Sequence, residues 1–148
     1  MDISAVLAML GLDFSRMLPH VVSLSVAYVL AFPIGWDRER SERSAGLRTF
    51  PLVAVAACGF IQATEHMLHS EPEAMARVVE GIIGGVGFIG GGAILKINSS
   101  VRGTATAASL WATGGVGVAV GVGATDVAIV ISVMTFATLR FLAPFKTE

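Results

Sequence analysis

Thiol and titratable chemistry are scarce in this 148-residue chain, which holds one cysteine, three histidines and only 14% charged residues. The lone Cys58 excludes an internal disulfide framework and a thiolate metal cluster. Serines, Cys58 and the histidines are scattered, with no base beside a nucleophile in any motif, so a non-enzymatic protein is expected. The ten basic residues form no stripe with interleaved aromatics, and no nucleic-acid partner is expected. A basic leader is missing as well: Asp2 and Asp13 stand where a cleavable signal peptide needs positive charge, which leads to the expectation that the first apolar segment is retained.

What is abundant is apolar. Hydrophobic residues make up 54% of the chain and mean hydropathy is +0.76, outside the range of soluble domains. Most of the 17 glycines stand inside apolar runs rather than among Ser, Pro and Gln, which marks them as packing residues and not as linkers.

A bilayer core of about 30 Å needs roughly 20 apolar residues of helix. Five runs come near that length: Leu18 to Gly35, Phe50 to Leu68, Val78 to Leu95, Thr104 to Val122 and Ala124 to Leu139. The last two are divided by Gly121, Gly123 and Asp126, a turn signal, since one helix through both would far exceed the bilayer. With no water inside the membrane each span must satisfy its own backbone, and the alternation of a membrane barrel is missing. The expected fold is therefore all-α, a polytopic helical bundle of about five transmembrane helices forming a single domain over residues 1–148.

Charge orients it. Arg38, Arg40, Arg43, Arg48, Lys96, Arg102, Arg140 and Lys146 fall on one side of a five-span chain, while Arg16 and Arg77 share the other with most of the acidic residues. Lys and Arg are retained on the cytoplasmic side during insertion, so the N-terminus is expected outside and the C-terminus in the cytoplasm.

Span three holds seven glycines between Gly81 and Gly92. Each would cost a soluble helix about 1 kcal/mol against Ala. In lipid, Gly81, Gly84, Gly85, Gly87 and Gly91 allow backbones to touch, which predicts a central helix contacted on more than one face. The alternative is a broken helix that offers carbonyls to an ion. Gly85-x-Gly87-x-x-Gly90 copies a dinucleotide fingerprint, but no strand precedes it and the match carries no such meaning. In span four, Thr104, Ala108, Ala112, Gly115 and Ala119 form a small-residue stripe expected to seat span three, and Trp111 is read as a packing anchor.

Polar residues gather after span one. Asp37, Arg38, Glu39, Glu42 and Arg43 make either a solvated helix end with Arg38–Glu42 and Glu39–Arg43 pairs at i, i+4, or a cluster that binds a cation or a partner. Asp37 and Glu39 are the candidate metal ligands, and Mg²⁺, which needs only one or two carboxylates, is the candidate ion; no other cofactor is expected. Arg48 and Thr49 either mark the interface or bind that cluster. Glu65, His66 and His69 are expected to be solvated rather than metal-bound. Arg77 and Glu80 form either an interfacial pair or, if Glu80 faces the bundle, an intramembrane proton or cation site.

Three stretches stand out together: Ala45-Gly46-Leu47-Arg48-Thr49, then Gly85-Val86-Gly87-Phe88-Ile89-Gly90-Gly91-Gly92, then Arg102-Gly103-Thr104-Ala105-Thr106-Ala107-Ala108-Ser109-Leu110-Trp111. In order and spacing they resemble the AGLRT, GIGFLGAG and RGLTTAAxxW signatures of the MgtC/SapB family, across about Gly35 to Gly123. The chain departs from the family pattern at Asp37, where Glu is common, at Glu80, where Gln is common, and at Thr104-Ala105, where Leu-Thr is usual. The resemblance implies a bacterial inner-membrane protein linked to magnesium homeostasis and, in some members, to virulence. It also implies either a regulator of other membrane proteins or a cation transporter. Many members carry a soluble C-terminal domain, which the short stretch after Leu139 leads us not to expect here. A homo-oligomer, most simply a dimer, is the expected assembly, with the lipid bilayer and other membrane proteins as partners.

Overall fold

The computed structural model describes residues 14–41, 45–68, 71–97 and 100–143. It is an all-α bundle: α1 (Phe14–Arg40), α2 (Thr49–Leu68), α3 (Pro72–Gly92), α4 (Thr104–Gly121) and α5 (Thr125–Phe141), with a short antiparallel hairpin of β1 (Leu95–Ile97) and β2 (Ser100–Arg102) between α3 and α4. Each helix coincides with one apolar run of the sequence. By length and composition, α1 and α3 are able to cross a membrane, with mean hydropathies of 1.8 and 1.3.

Two boundaries differ from the sequence expectation. The first helix runs past the apolar run to Arg40, so Trp36 to Arg40 form a helix end, as one of the two readings has it, although Asp37 and Arg38 within it are buried rather than solvated. Helix α3 stops at Gly92 rather than Leu95. Gly90, Gly91 and Gly92 give the last turn little side-chain support, and the Ala93 and Ile94 amides close it by donating to the carbonyls of Gly90 and Gly91 respectively. The residues beyond, alternately apolar and polar through Leu95, Lys96 and Ile97, pair as strand, with Leu95 opposite Arg102.

The central helix is α4, not α3. Half of its residues are buried, over more than half of its circumference: Thr106, Ser109, Leu110, Thr113, Gly114, Val116, Gly117, Ala119 and Val120, with Thr104, Ala108 and Trp111 facing outward. A helix apolar all round belongs inside a bundle. Its small residues serve different neighbours. A Cβ on Gly114 would lie 2.9 Å from both Val86 methyls of α3, and one on Gly121 would lie 2.8 Å from Ile61 Cβ of α2. One on Gly90 of α3 would lie 3.1 Å from the Ala107 carbonyl oxygen. So α3 and α4 are neighbours as expected, but through Ala107 and Gly114. The stripe of Ala108 and Ala112 instead shares a shallow hollow with Met134 and Thr135 of α5, and Gly115 faces Ile131 of α5. Trp111 is 55% exposed and so lies on the outer surface.

Two apolar clusters fill the bundle. One joins Ala27, Ala31, Ala54, Cys58, Val116 and Ala128; the other joins Ile34, Phe50, Val53, Val86, Leu110 and Leu139. Polar groups inside are hydroxyls whose protons go to backbone carbonyls: Ser109 to Thr106, Thr113 to Ser109, and Ser132 across helices to Leu30 at 2.6 Å. On the outer side of α1, Tyr28, Phe32 and Trp36 stack at i, i+4 spacing, with Arg40 over the Trp36 ring at 5.7 Å.

Candidate functional site

The C-terminal ends of α1, α3 and α5 and the N-terminal ends of α2 and α4 lie at one end of the bundle, which carries the polar cluster. Asp37 and Arg38 sit in the last turns of α1 and are 7% and 5% exposed. Arg38 Nη2 donates to Asp37 Oδ2 at 2.6 Å, and the Ser41 hydroxyl donates to the Asp37 carbonyl. Arg38 at a helix C-terminus also answers the negative end of the helix dipole. The pairing is incomplete, however: Arg38 Nε is buried with no acceptor among the described residues. Left that way, a buried donor costs about 1–3 kcal/mol.

Glu39 is spent differently. Its carboxylate accepts the Leu47 amide at 3.0 Å and packs directly over Gly46, leaving no room there for a side chain. Gly35 faces the same loop, where a Cβ would lie 3.2 Å from the Gly46 carbonyl oxygen. The Ala45-Gly46-Leu47 segment is thus a latch between α1 and α2, with Ala45 buried beneath it and the Gly46 carbonyl accepting the Thr49 amide to start α2.

The acidic cluster therefore meets the backbone of this loop and the neighbouring Arg38. Arg48 points elsewhere, exposed, beside Thr49 at one mouth of a groove between α2 and α3. No group of three or more His, Cys, Asp or Glu side chains is placed to share a metal among the described residues. Glu42, Arg43 and His69, and the side chain of His66, lie outside the described residues, so the pairs read for them do too. Arg77 and Glu80 are both exposed and form no ion pair among the described residues, and Glu80 does not face the bundle interior.

The groove between α2 and α3 encloses about 710 Å³, with walls that include Leu52, Ala56, Phe60, Gly81, Gly85 and Ile89. Antiparallel helices bring Arg48 and Ile89 to one mouth, Thr64 and Val78 to the other. From Arg48 to Thr64 the α2 wall extends roughly 24 Å at 1.5 Å per residue. Gly81, Gly84, Gly85, Gly87, Gly91 and Gly92 have open space where a Cβ would stand. Within one chain the glycine-rich helix is thus bare on most of its circumference. A run of glycines announces that something approaches closely without saying from which molecule.

The fold and its apolar helices define a helical membrane protein. The chain belongs to the MgtC family, whose model matches residues 24–148. It is 39% identical to Protein MgtC of Salmonella typhimurium (strain LT2) over 107 residues, 72% of this chain and 45% of that protein. It is 40% identical to Protein MgtC of Brucella abortus (strain 2308) over 121 residues, 82% and 50% of the two chains. An uncharacterised protein of Synechocystis is 36% identical over 127 residues, 86% of this chain and 53% of that one. The chain spans about half the length of the curated relatives it matches. No solved structure matches it.

Proposed function

We propose that the protein is a multi-pass component of the bacterial inner membrane that acts in magnesium homeostasis by binding other membrane proteins. In this reading all five helices span the bilayer, the N-terminus is outside and the Arg38 end is cytoplasmic. The observation that carries the regulatory role is the open groove with its glycine-bare α3 wall. It has the length of a membrane crossing and the small residues that let a partner's helix approach to backbone contact. A second copy of the chain uses the same face in the dimeric form.

Cation transport asks for ionisable groups or free carbonyls reaching the middle of the bundle. Here the interior is Ala, Val and backbone-bonded hydroxyls, Asp37 and Arg38 sit at the mouth, and Glu80 is exposed outside. That distribution favours the regulator.

Two measurements test the reading together. Purified protein in liposomes should pass no more Mg²⁺ or H⁺ than empty vesicles. A strain dependent on this gene for growth in low magnesium should lose that growth with Gly85→Leu, which blocks the groove, while the variant still inserts at normal abundance. Flux above background, or full growth with the groove filled, overturns it.

A further inference from the structure

The groove between α2 and α3 is polar at one end only. Arg48 and Thr49 stand at the mouth on the Arg38 end of the bundle, while Thr64 at the other mouth spends its hydroxyl on the carbonyls of Phe60 and Ile61. Between the two mouths every lining residue is apolar or glycine.

Helical spacing builds this trough. Leu52, Ala56 and Phe60 recur at four-residue steps along α2, and Ile82, Gly85 and Ile89 at three- and four-residue steps along α3, so each helix turns one stripe toward the other. Val53, Ala57 and Val86 are buried and make the floor, whereas Leu52, Phe60 and Ile89 stand exposed on the rims. Gly81 and Gly85 widen it, with open space where a Cβ would stand.

Arg48 is the charged end. Its side chain lines the mouth, is exposed, and forms no ion pair among the described residues. The carboxylates at the same end of the bundle are engaged elsewhere, Asp37 with Arg38 and Glu39 with the Leu47 amide. A guanidinium with its fork unspent meets a phosphate at two points, and the Thr49 hydroxyl adds a donor beside it.

An apolar trough with one cation at a single mouth fits an amphiphile with an anionic head. With α2 and α3 spanning the bilayer, the reading on which the inference rests, the Arg48 mouth lies in the headgroup layer. The α2 wall of roughly 24 Å is longer than one leaflet, about 15 Å or half of a core of about 30 Å, so an acyl chain lies along it without leaving the groove. The volume of about 710 Å³ falls within the range of small-molecule sites, about 300–1,000 Å³. A partner's helix would use the glycines equally well but has no use for a cation at one end only.

We propose that the groove binds one anionic phospholipid, with its phosphate on Arg48 and an acyl chain along the floor. Basic pockets between membrane helices recognise headgroups in this way. The lipid is the occupant of the groove when no partner is bound, and a partner's helix gains the glycine face of α3 by displacing it.

The test uses the full-length protein, exchanged into nanodiscs of equal phosphatidylglycerol and phosphatidylcholine and released for native mass spectrometry, which counts the lipids kept by each chain. Three variants accompany the wild type: Arg48→Gln, Gly85→Leu, which fills the trough, and Arg140→Gln, which removes an exposed cation at the same end but outside the groove. Wild type and Arg140→Gln should keep one phosphatidylglycerol per chain with a preference of about fivefold or more, the weight of one basic residue at an anionic membrane surface. Arg48→Gln and Gly85→Leu should both lose that preference. A wild type without preference, a preference that survives either groove variant, or an equal loss in Arg140→Gln overturns the proposal. Should Gly85→Leu fail to fold, Arg48→Gln and Arg140→Gln decide by the same criteria. Failure here is distinct from failure of the membrane-spanning reading, which topology fusions report, and from failure of the partner-binding role, which growth in low magnesium reports.

Discussion

Gly117 of α4 and Ala54 of α2 pass so closely that a Cβ on Gly117 would overlap the Ala54 carbonyl oxygen, and would come within 2.8 Å of the Ala57 methyl as well. Backbone meets backbone at the middle of the bundle, and neither partner has a flexible end to move aside.

Gly117→Ala should therefore destabilise the protein by about 1–3 kcal/mol, as overpacking does. Gly84→Ala, at an open position of α3, should be neutral or stabilising by up to about 1 kcal/mol in the detergent-solubilised monomer, because Ala is the better helix former. Helicity followed through a denaturing-detergent titration measures both. Equal losses at the two sites would contradict the central place given to α4.

Ser132 ties α5 to α1 through its hydroxyl bond to the Leu30 carbonyl. Replacing it with Ala should cost about 0.6 kcal/mol, the average for interhelical hydrogen bonds in membrane bundles, and no more than about 1.7. The same unfolding titration reads it. A loss several times larger would mean that the hydroxyl supports more than this one contact.

The latch gives a coupling prediction. Gly46→Ala pushes a methyl into the Glu39 carboxylate, which must swing aside and give up the Leu47 amide, and should destabilise the wild type by about 1 kcal/mol. In a Glu39→Ala background most of that obstacle is gone, so the same change should cost less, with a coupling energy of about 0.5–3 kcal/mol in a double-mutant cycle. Strict additivity would show that Glu39 does not hold the loop.

Orientation is checked with fusions. Alkaline phosphatase, active only in the periplasm, should be silent after Glu148 and active when inserted at Glu71, between α2 and α3. An active fusion after Glu148 is incompatible with five spans and an external N-terminus.

All five helices were legible as apolar runs, because a membrane helix is specified by length and hydropathy, which are local. Position within the bundle was not, since it depends on which small residues find a partner. The seven glycines of α3 point toward it, yet α4 is central because its one small-residue face of Ala107, Gly114, Gly117 and Gly121 admits both α2 and α3, while Gly115 on the opposite face meets α5. The short hairpin was missed because its alternation covers only three residues a side. Of the site, Asp37, Arg38 and Glu39 were visible as a charged cluster, but their use was not: Glu39 binds a backbone amide eight positions on, and Asp37 is taken by its neighbour. The unsatisfied Nε of Arg38 leaves no trace in sequence.

The carbonyl of Ala93, just past the end of α3, rests against Gly103, which opens α4. Helix α3 is bare on its groove side and seated on α4 at three points along its other face, Val86 on Gly114, Gly90 on the Ala107 carbonyl and the Ala93 carbonyl on Gly103, so α4 serves as the keel against which α3 is set.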